Sequence, residues 1–210
     1  MFQLATSKWV KWGIALILSV CFRVAKAQDS SRIFFTSSAG FVVPQSTFAR
    51  AYQNSLAFNS GIEYRLKKHY FIQFVLDFNA VKYNQQIKDK NSNFLFQNTN
   101  SSLLLAGLSV GKDFSLTHSG RLTVSPYVGA GYANIGEPRL TVNNATGIIY
   151  QNVTRMKGAF ARTGLRLLYD TRSKIFQRLY FDVSYWTSNV QVQESKAQAL
   201  AFLVGTRIGF

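Results

Sequence analysis

The chain has 210 residues with 24 Lys+Arg against nine Asp+Glu and two His, a formal charge of +15 at neutral pH. One Cys and two His leave no set of soft metal ligands and no disulfide pair. A length of this order is one folded unit rather than several.

The N-terminus reads as an export signal. Lys8 and Lys11 form a basic start, Trp12 to Phe22 is an apolar run, and Ala25-Lys26-Ala27 fits a small-residue cleavage site. The run is about ten residues, half of the roughly 20 that a spanning helix needs. A lipid attachment at Cys21 is disfavoured, because Val20 stands where a small residue is wanted. The expected division is therefore 1–27 signal peptide and 28–210 a single domain. That domain holds 20 basic and nine acidic residues, a net +11, and no Cys. An exported basic chain meets anionic lipid headgroups and lipopolysaccharide phosphates, so lipid surface and not nucleic acid is the expected partner.

From Gln28 onward no helical period is sustained. Alternating runs of about ten residues or more recur instead, the pattern of strands with one apolar face. The first is Arg32 to Val43, ending at Pro44, and the second is Asn54 to Leu66, with Leu56, Phe58, Ile62 and Tyr64 on one face. A turn at Lys67-Lys68-His69 leads to the clearest strand: Tyr70, Ile72, Phe74, Leu76 and Phe78 alternate with Phe71, Gln73, Val75, Asp77 and Asn79. Asn84 to Asn93 reads as a loop, and strand four as Phe94 to Asp113 with Leu104, Ala106, Leu108 and Val110 outward.

After Ser119-Gly120, strand five spans Arg121 to Ile135. Its Gly129-x-Gly131 is no dinucleotide loop, because Asn134 stands where the third Gly is needed and no helix follows. Small residues facing a crowded interior explain those glycines better. Gly136 to Gln151 reads as a long polar loop. Strand six is Asn152 to Tyr169, with Phe160, Arg162, Gly164 and Arg166 inward; Asp170 to Gln177 is a charged turn. Strand seven, Arg178 to Val190, puts Tyr180, Asp182, Ser184 and Trp186 inward, and a connection from Gln191 to Lys196 precedes the last strand. That strand ends Leu200, Phe202, Val204, Thr206, Ile208, Phe210 on its apolar face.

Eight strands of this kind predict an all-β fold, an eight-stranded antiparallel up-and-down transmembrane barrel. An even count brings both ends to one side. Tyr64, Tyr70, Tyr132, Tyr169, Tyr185 and Phe210 fall near strand ends, where interfacial aromatic girdles belong.

Two motifs carry a resemblance. The terminal strand closing on Phe210, and the run Pro126-Tyr-Val-Gly-Ala-Gly-Tyr132, are similar to those of small OmpA/OmpX-like outer-membrane barrels and of the outer-membrane β-barrel domains of Bacteroidota, including PorT-like proteins. The resemblance implies an integral outer-membrane protein with both termini periplasmic. It implies that Phe210 is the signal read by the barrel-assembly machinery. It also implies a non-enzymatic structural, interaction or secretion-accessory role in an envelope or secretion complex.

Some barrels of this kind edit lipid A and need a His to activate Ser or water. His69 and His118 sit in turns on the periplasmic side, away from outer-leaflet lipid A, so no catalytic, cofactor or metal site is expected. The lumen-facing charges are Glu63, Arg65, Asp77, Arg121, Arg162, Arg166, Asp182 and Arg207. A conduction path and a structural ion network are the two readings. Eight strands leave a bore that side chains fill, which favours the network. Within it, Asp182 is expected to be shared by Arg166 and Arg207.

Overall fold

The computed structural model describes residues 32–209 apart from 85–94, 96, 98, 144, 173–177 and 193–194. The expected signal segment 1–27, most of the expected 84–93 loop and the terminal Phe210 lie outside the described residues.

Among the described residues nine strands follow in chain order: β1 (Ile33–Pro44), β2 (Ser55–Arg65), β3 (Tyr70–Tyr83), β4 (Thr99–Lys112), β5 (Phe114–Ser115), β6 (Leu122–Asn143), β7 (Ile148–Asp170), β8 (Arg178–Val192) and β9 (Ser195–Gly209). β5 is a two-residue continuation of β4 past Asp113, so eight positions go around the wall. Each strand pairs antiparallel with the next, except that β4 and β5 both pair with β6, and β9 returns to β1 through a register from Phe34↔Gly209 to Pro44↔Ala199. This is a closed eight-stranded antiparallel barrel with no free edge along its wall. Closure is what allows strands to stand in a membrane, because every backbone group finds its partner between strands.

Period-2 alternation sets the faces. Along β3 exposure switches at every residue, so Phe74 and Phe78 point out while Phe71, Gln73, Val75 and Asp77 point in. The same alternation puts Phe41, Phe58, Leu108, Val128, Leu165 and Val204 on the outside, where each is exposed. The start of β1 and the end of β9 share one end of the barrel, here the base. The opposite end is the mouth.

Several element bounds differ from the sequence expectation, each for a physical reason. The segment 136–151 is no polar loop: β6 and β7 stay paired to Asn143↔Ile148 and close through a turn in which Gly147 takes φ +67°. Leu140, Thr141, Val142, Ile148, Ile149 and Tyr150 are good strand formers. Pro138 is tolerated because β6 has no ladder partner on its β4 side beyond Ile135. The result is a two-stranded arm beyond the mouth. Of the 191–196 connection, Gln191 and Val192 belong to β8 and Ser195 and Lys196 to β9, with Gln191 opposite Lys196 and Val192 opposite Ser195. Strand four begins at Thr99 instead of Phe94, and the described Leu95 and Gln97 lie outside it. Between β1 and β2 a one-turn helix, α1 (Phe48–Ala51), tucks Phe48 and Ala51 into the mouth.

Glycine is needed where the lumen is crowded. At Gly164 an added Cβ would strike the Tyr127 ring, and at Gly131 it would strike the backbone of Ala106 and Gly107 on β4. The Pro-Tyr-x-Gly-x-Gly run is thus a place of close strand approach.

Candidate functional site

The lumen is the only region where charged groups are gathered away from solvent among the described residues, and it is built in layers. Nearest the base, Glu63 on β2 is the hub. Its Oε2 accepts from Arg207 Nη2 at 2.7 Å and from Arg166 Nη1 at 3.3 Å, and its Oε1 lies 3.7 Å from Arg65 Nε. Arg65 also pairs with Asp113, which accepts from Ser125 Oγ and lies 3.5 Å from Arg207 Nη1. Both Glu63 and Arg207 have side chains with no exposed surface.

The next layer centres on Arg166 of β7. Its Nε donates to Asp182 Oδ2 at 3.1 Å and its Nη2 to Gln73 Oε1 at 3.0 Å. Tyr127 completes Asp182 with a 2.8 Å hydrogen bond, and Gln73 donates onward to Thr36 at 2.8 Å. The Arg166 guanidinium stands 4.6 Å from the Tyr180 ring centroid and 5.5 Å from that of Tyr127, close enough for cation–π attraction. One layer further, Asp77 pairs with Arg162 and accepts from Asn59.

Four guanidiniums therefore meet four carboxylates, and a buried charge is tolerable only when so compensated. Two cavities lie within these layers, one beside Arg162, Tyr180 and Asp182 and one beside Asp77 and Trp186. Each is about 10 Å³, the lower limit for a single water.

Toward the mouth the lumen becomes apolar. Leu103, Leu105, Ile135, Phe160, Leu203 and Trp186 fill it, and the α1 segment closes it. Phe48 packs 4.7 Å from Tyr52 and edge-on to Trp186 at 6.1 Å, and Tyr52 meets Tyr83 edge-on at 5.1 Å. Tyr52 OH donates to the Gly136 carbonyl at 2.6 Å, which ties the plug to the base of the arm. Glu137, also fully buried, accepts from Arg139 at 2.7 Å.

Seven of the eight charges expected in the lumen are there, and one is not. Arg121 is exposed, because β6 begins only at Leu122 and the alternation that would turn Arg121 inward has not started. The Arg166–Asp182 pair forms, on strands in direct register. Arg207 does not share that carboxylate. A β-bulge between Thr187 and Gln191 slips the β8–β9 register by two, so Asp182 faces Leu203 and Arg207 faces Arg178. The shared carboxylates are Glu63, contacted by Arg207, Arg166 and Arg65, and Asp113, contacted by Arg65 and Arg207. The balance is four to four, not five Arg against three acids, because Arg121 is outside and Asp113 inside. Asp113 escaped the sequence reading because it lies at the break between β4 and β5, where face assignment by counting fails.

His69 and His118 are exposed in turns at the base. No group of three metal-ligating side chains occurs among the described residues. Every lumen carboxylate already accepts from Arg, Tyr, Ser or Asn, which suits it to hold charge in place rather than to take a proton from a substrate.

No family model and no curated protein sequence matches the chain. Similar solved structures include the N-terminal β-barrel domain of OprF from Pseudomonas aeruginosa, 13% identical over 85% of this chain and 98% of that one, with a TM-score of 0.47. Neisserial surface protein A is 16% identical over 86% and 98%, at 0.46. Ail, the attachment invasion locus protein of Yersinia pestis, solved with the heparin analogue sucrose octasulfate, is 13% identical over 85% and 97%, at 0.41. The closed strand ladder, and not these likenesses, establishes the barrel.

Proposed function

We propose that this chain is an integral outer-membrane protein of non-enzymatic function, a sealed barrel that serves a structural, interaction or secretion-accessory role in the cell envelope. One observation carries the reading: most large apolar side chains of every wall strand point outward, interrupted only by small or hydroxyl residues such as Ser37, Ser60 and Thr206, while the charged groups are gathered inside. Phe41 is 58% exposed, Val128 57% and Val204 63%. Soluble monomers rarely expose contiguous apolar patches beyond a few hundred Å². Lipid tails are the solvent such a face fits, with Tyr64, Tyr70, Tyr132 and Tyr169 exposed toward the ends of the belt as interfacial anchors.

The layered lumen argues against a pore. The side-chain network at the base and the aromatic plug at the mouth leave room for isolated waters, not for a file of ions. An editing enzyme of lipid A would need its histidines at the mouth, whereas both are at the base.

Membrane lipid and lipopolysaccharide surround the belt in this reading, and the barrel-assembly machinery recognises Phe210. The arm beyond the mouth supplies the contact surface for an envelope or secretion complex, the kind of role that the resemblance to PorT-like proteins implies. Fractionation of envelopes tests the compartment and crosslinking from the arm tests the complex. Recovery in the outer-membrane fraction with an arm-specific adduct is expected. Recovery in the soluble fraction would overturn the proposal.

A further inference from the structure

The outward wall is not smooth at the base. Where β3, β4 and β6 meet it, a depression of about 530 Å³ opens among Tyr70, Ile72, Val110, Phe114, Val128 and Lys112. A second, of about 440 Å³, adjoins it through Leu66 and Tyr70 and is lined by Arg32, Arg65 and Lys67. Each lies within the roughly 300–1,000 Å³ typical of small-molecule sites.

Their chemistry is divided in the same sense. The first is apolar except at its rim, where the Lys112 ammonium stands 5.0 Å from the Tyr70 ring centroid and 5.1 Å from that of Phe114. Two rings hold the cation over the groove's edge. Lys112 has no carboxylate partner among the described residues, and the same is true of Arg32 and Lys67. No Asp or Glu lines either depression.

We propose that this groove is a binding site for one anionic phospholipid, with an acyl chain along Ile72, Val110 and Val128 and the phosphate held by Lys112 and the adjoining Arg32 and Lys67. The inference rests on the membrane reading above. Charge complementarity and the joining of an apolar trough to a basic one at Tyr70 select this occupant. A second copy of the chain would set these cations against themselves.

The test takes the exported chain, refolds it into vesicles of equal phosphatidylglycerol and phosphatidylcholine, extracts it in mild detergent and weighs it by native mass spectrometry. One retained phosphatidylglycerol in preference to phosphatidylcholine is expected. Lys112→Glu should lower that preference by about five-fold or more, the worth of a single lysine near an anionic surface. Val128→Trp fills the trough without changing charge and should reduce retention of either lipid. Equal retention of both lipids, a preference unaffected by Lys112→Glu, stronger retention of added lipid A, or a lipid-free dimer each overturns the site. Protease protection in the vesicles separates the two readings. An unprotected chain sinks the membrane reading and the site with it, whereas a protected but unselective chain sinks the site alone.

Discussion

Replacing Glu63 by Gln keeps the shape of the lumen hub and removes its charge. Arg166 would still have Asp182 at 3.1 Å and Gln73 at 3.0 Å, and Arg65 would still have Asp113. Arg207, still fully buried, would have a carboxylate only in the 3.5 Å contact to Asp113, with a neutral amide in place of the Glu63 charge. Removing one partner of a buried pair costs about 3–5 kcal/mol, because the remaining charge is left uncompensated. With a urea slope of about 2 kcal/mol/M, the unfolding midpoint of Glu63→Gln should fall by about 2 M. Trp186 is a natural reporter: it is buried in the lumen, and the other two Trp, Trp9 and Trp12, lie in the expected signal segment. Two controls fix the interpretation. Asp170→Asn breaks a half-exposed pair with Arg178 at 3.6 Å and should cost no more than about 1 kcal/mol. Glu63→Gln combined with Arg207→Met should recover much of the loss, since no orphaned cation remains. A Glu63→Gln midpoint shift of no more than about 0.25 M, equivalent to the ±0.5 kcal/mol or so of ordinary surface changes, would refute the hub.

The other expectations concern position around the barrel. Phe74→Arg puts a cation mid-strand on the outward face and should cost roughly 2–4 kcal/mol in vesicles, whereas Thr146→Arg in the arm's turn should leave the midpoint where it was. Deleting Phe210 should reduce the outer-membrane yield more than the refolding yield in detergent, and equal membrane yields would remove its role as an assembly signal. Planar-bilayer recordings of the unaltered protein should be silent; steady large conductance would defeat the sealed lumen. Trp186→Ala should cost about 3–5 kcal/mol through the cavity it leaves beneath Phe48, read as a lowered melting temperature.

What a strand sequence reveals is local, and what it hides is register. The faces of β2, β3, β7 and β9 follow from alternation alone, because one side must be apolar and the other fits the lumen. Arg166 and Asp182 could be matched because a short turn joins their strands. Arg207 was misplaced because a bulge near Thr187 moves it two residues along the ladder, and nothing in the composition of that stretch announces a bulge. The contact of Glu63 with Arg207 spans 144 residues and exists only because β9 closes onto β1. The plug was hidden for a related reason. Phe48 and Tyr52 sit in a stretch that reads as an ordinary connection, and their partners Trp186 and Tyr83 come from distant strands that only closure brings to the mouth. The arm was hidden by Gly136, Pro138 and its asparagines, which mark loops elsewhere but here lie in a two-stranded ribbon beyond the barrel wall.

The most direct measurement is a cysteine scan along β3. Beyond the expected signal segment the chain carries no cysteine, since its one Cys is Cys21. A single Cys placed in turn at each position from Ile72 to Phe78, labelled with a small fluorophore in vesicles and challenged with brominated lipid, reads which side chains touch acyl chains. Strong quenching at 72, 74, 76 and 78 with little at 73, 75 and 77 is the expected result. Uniform quenching, or the opposite phase, would contradict a barrel that faces lipid with its apolar side and seals its charges within.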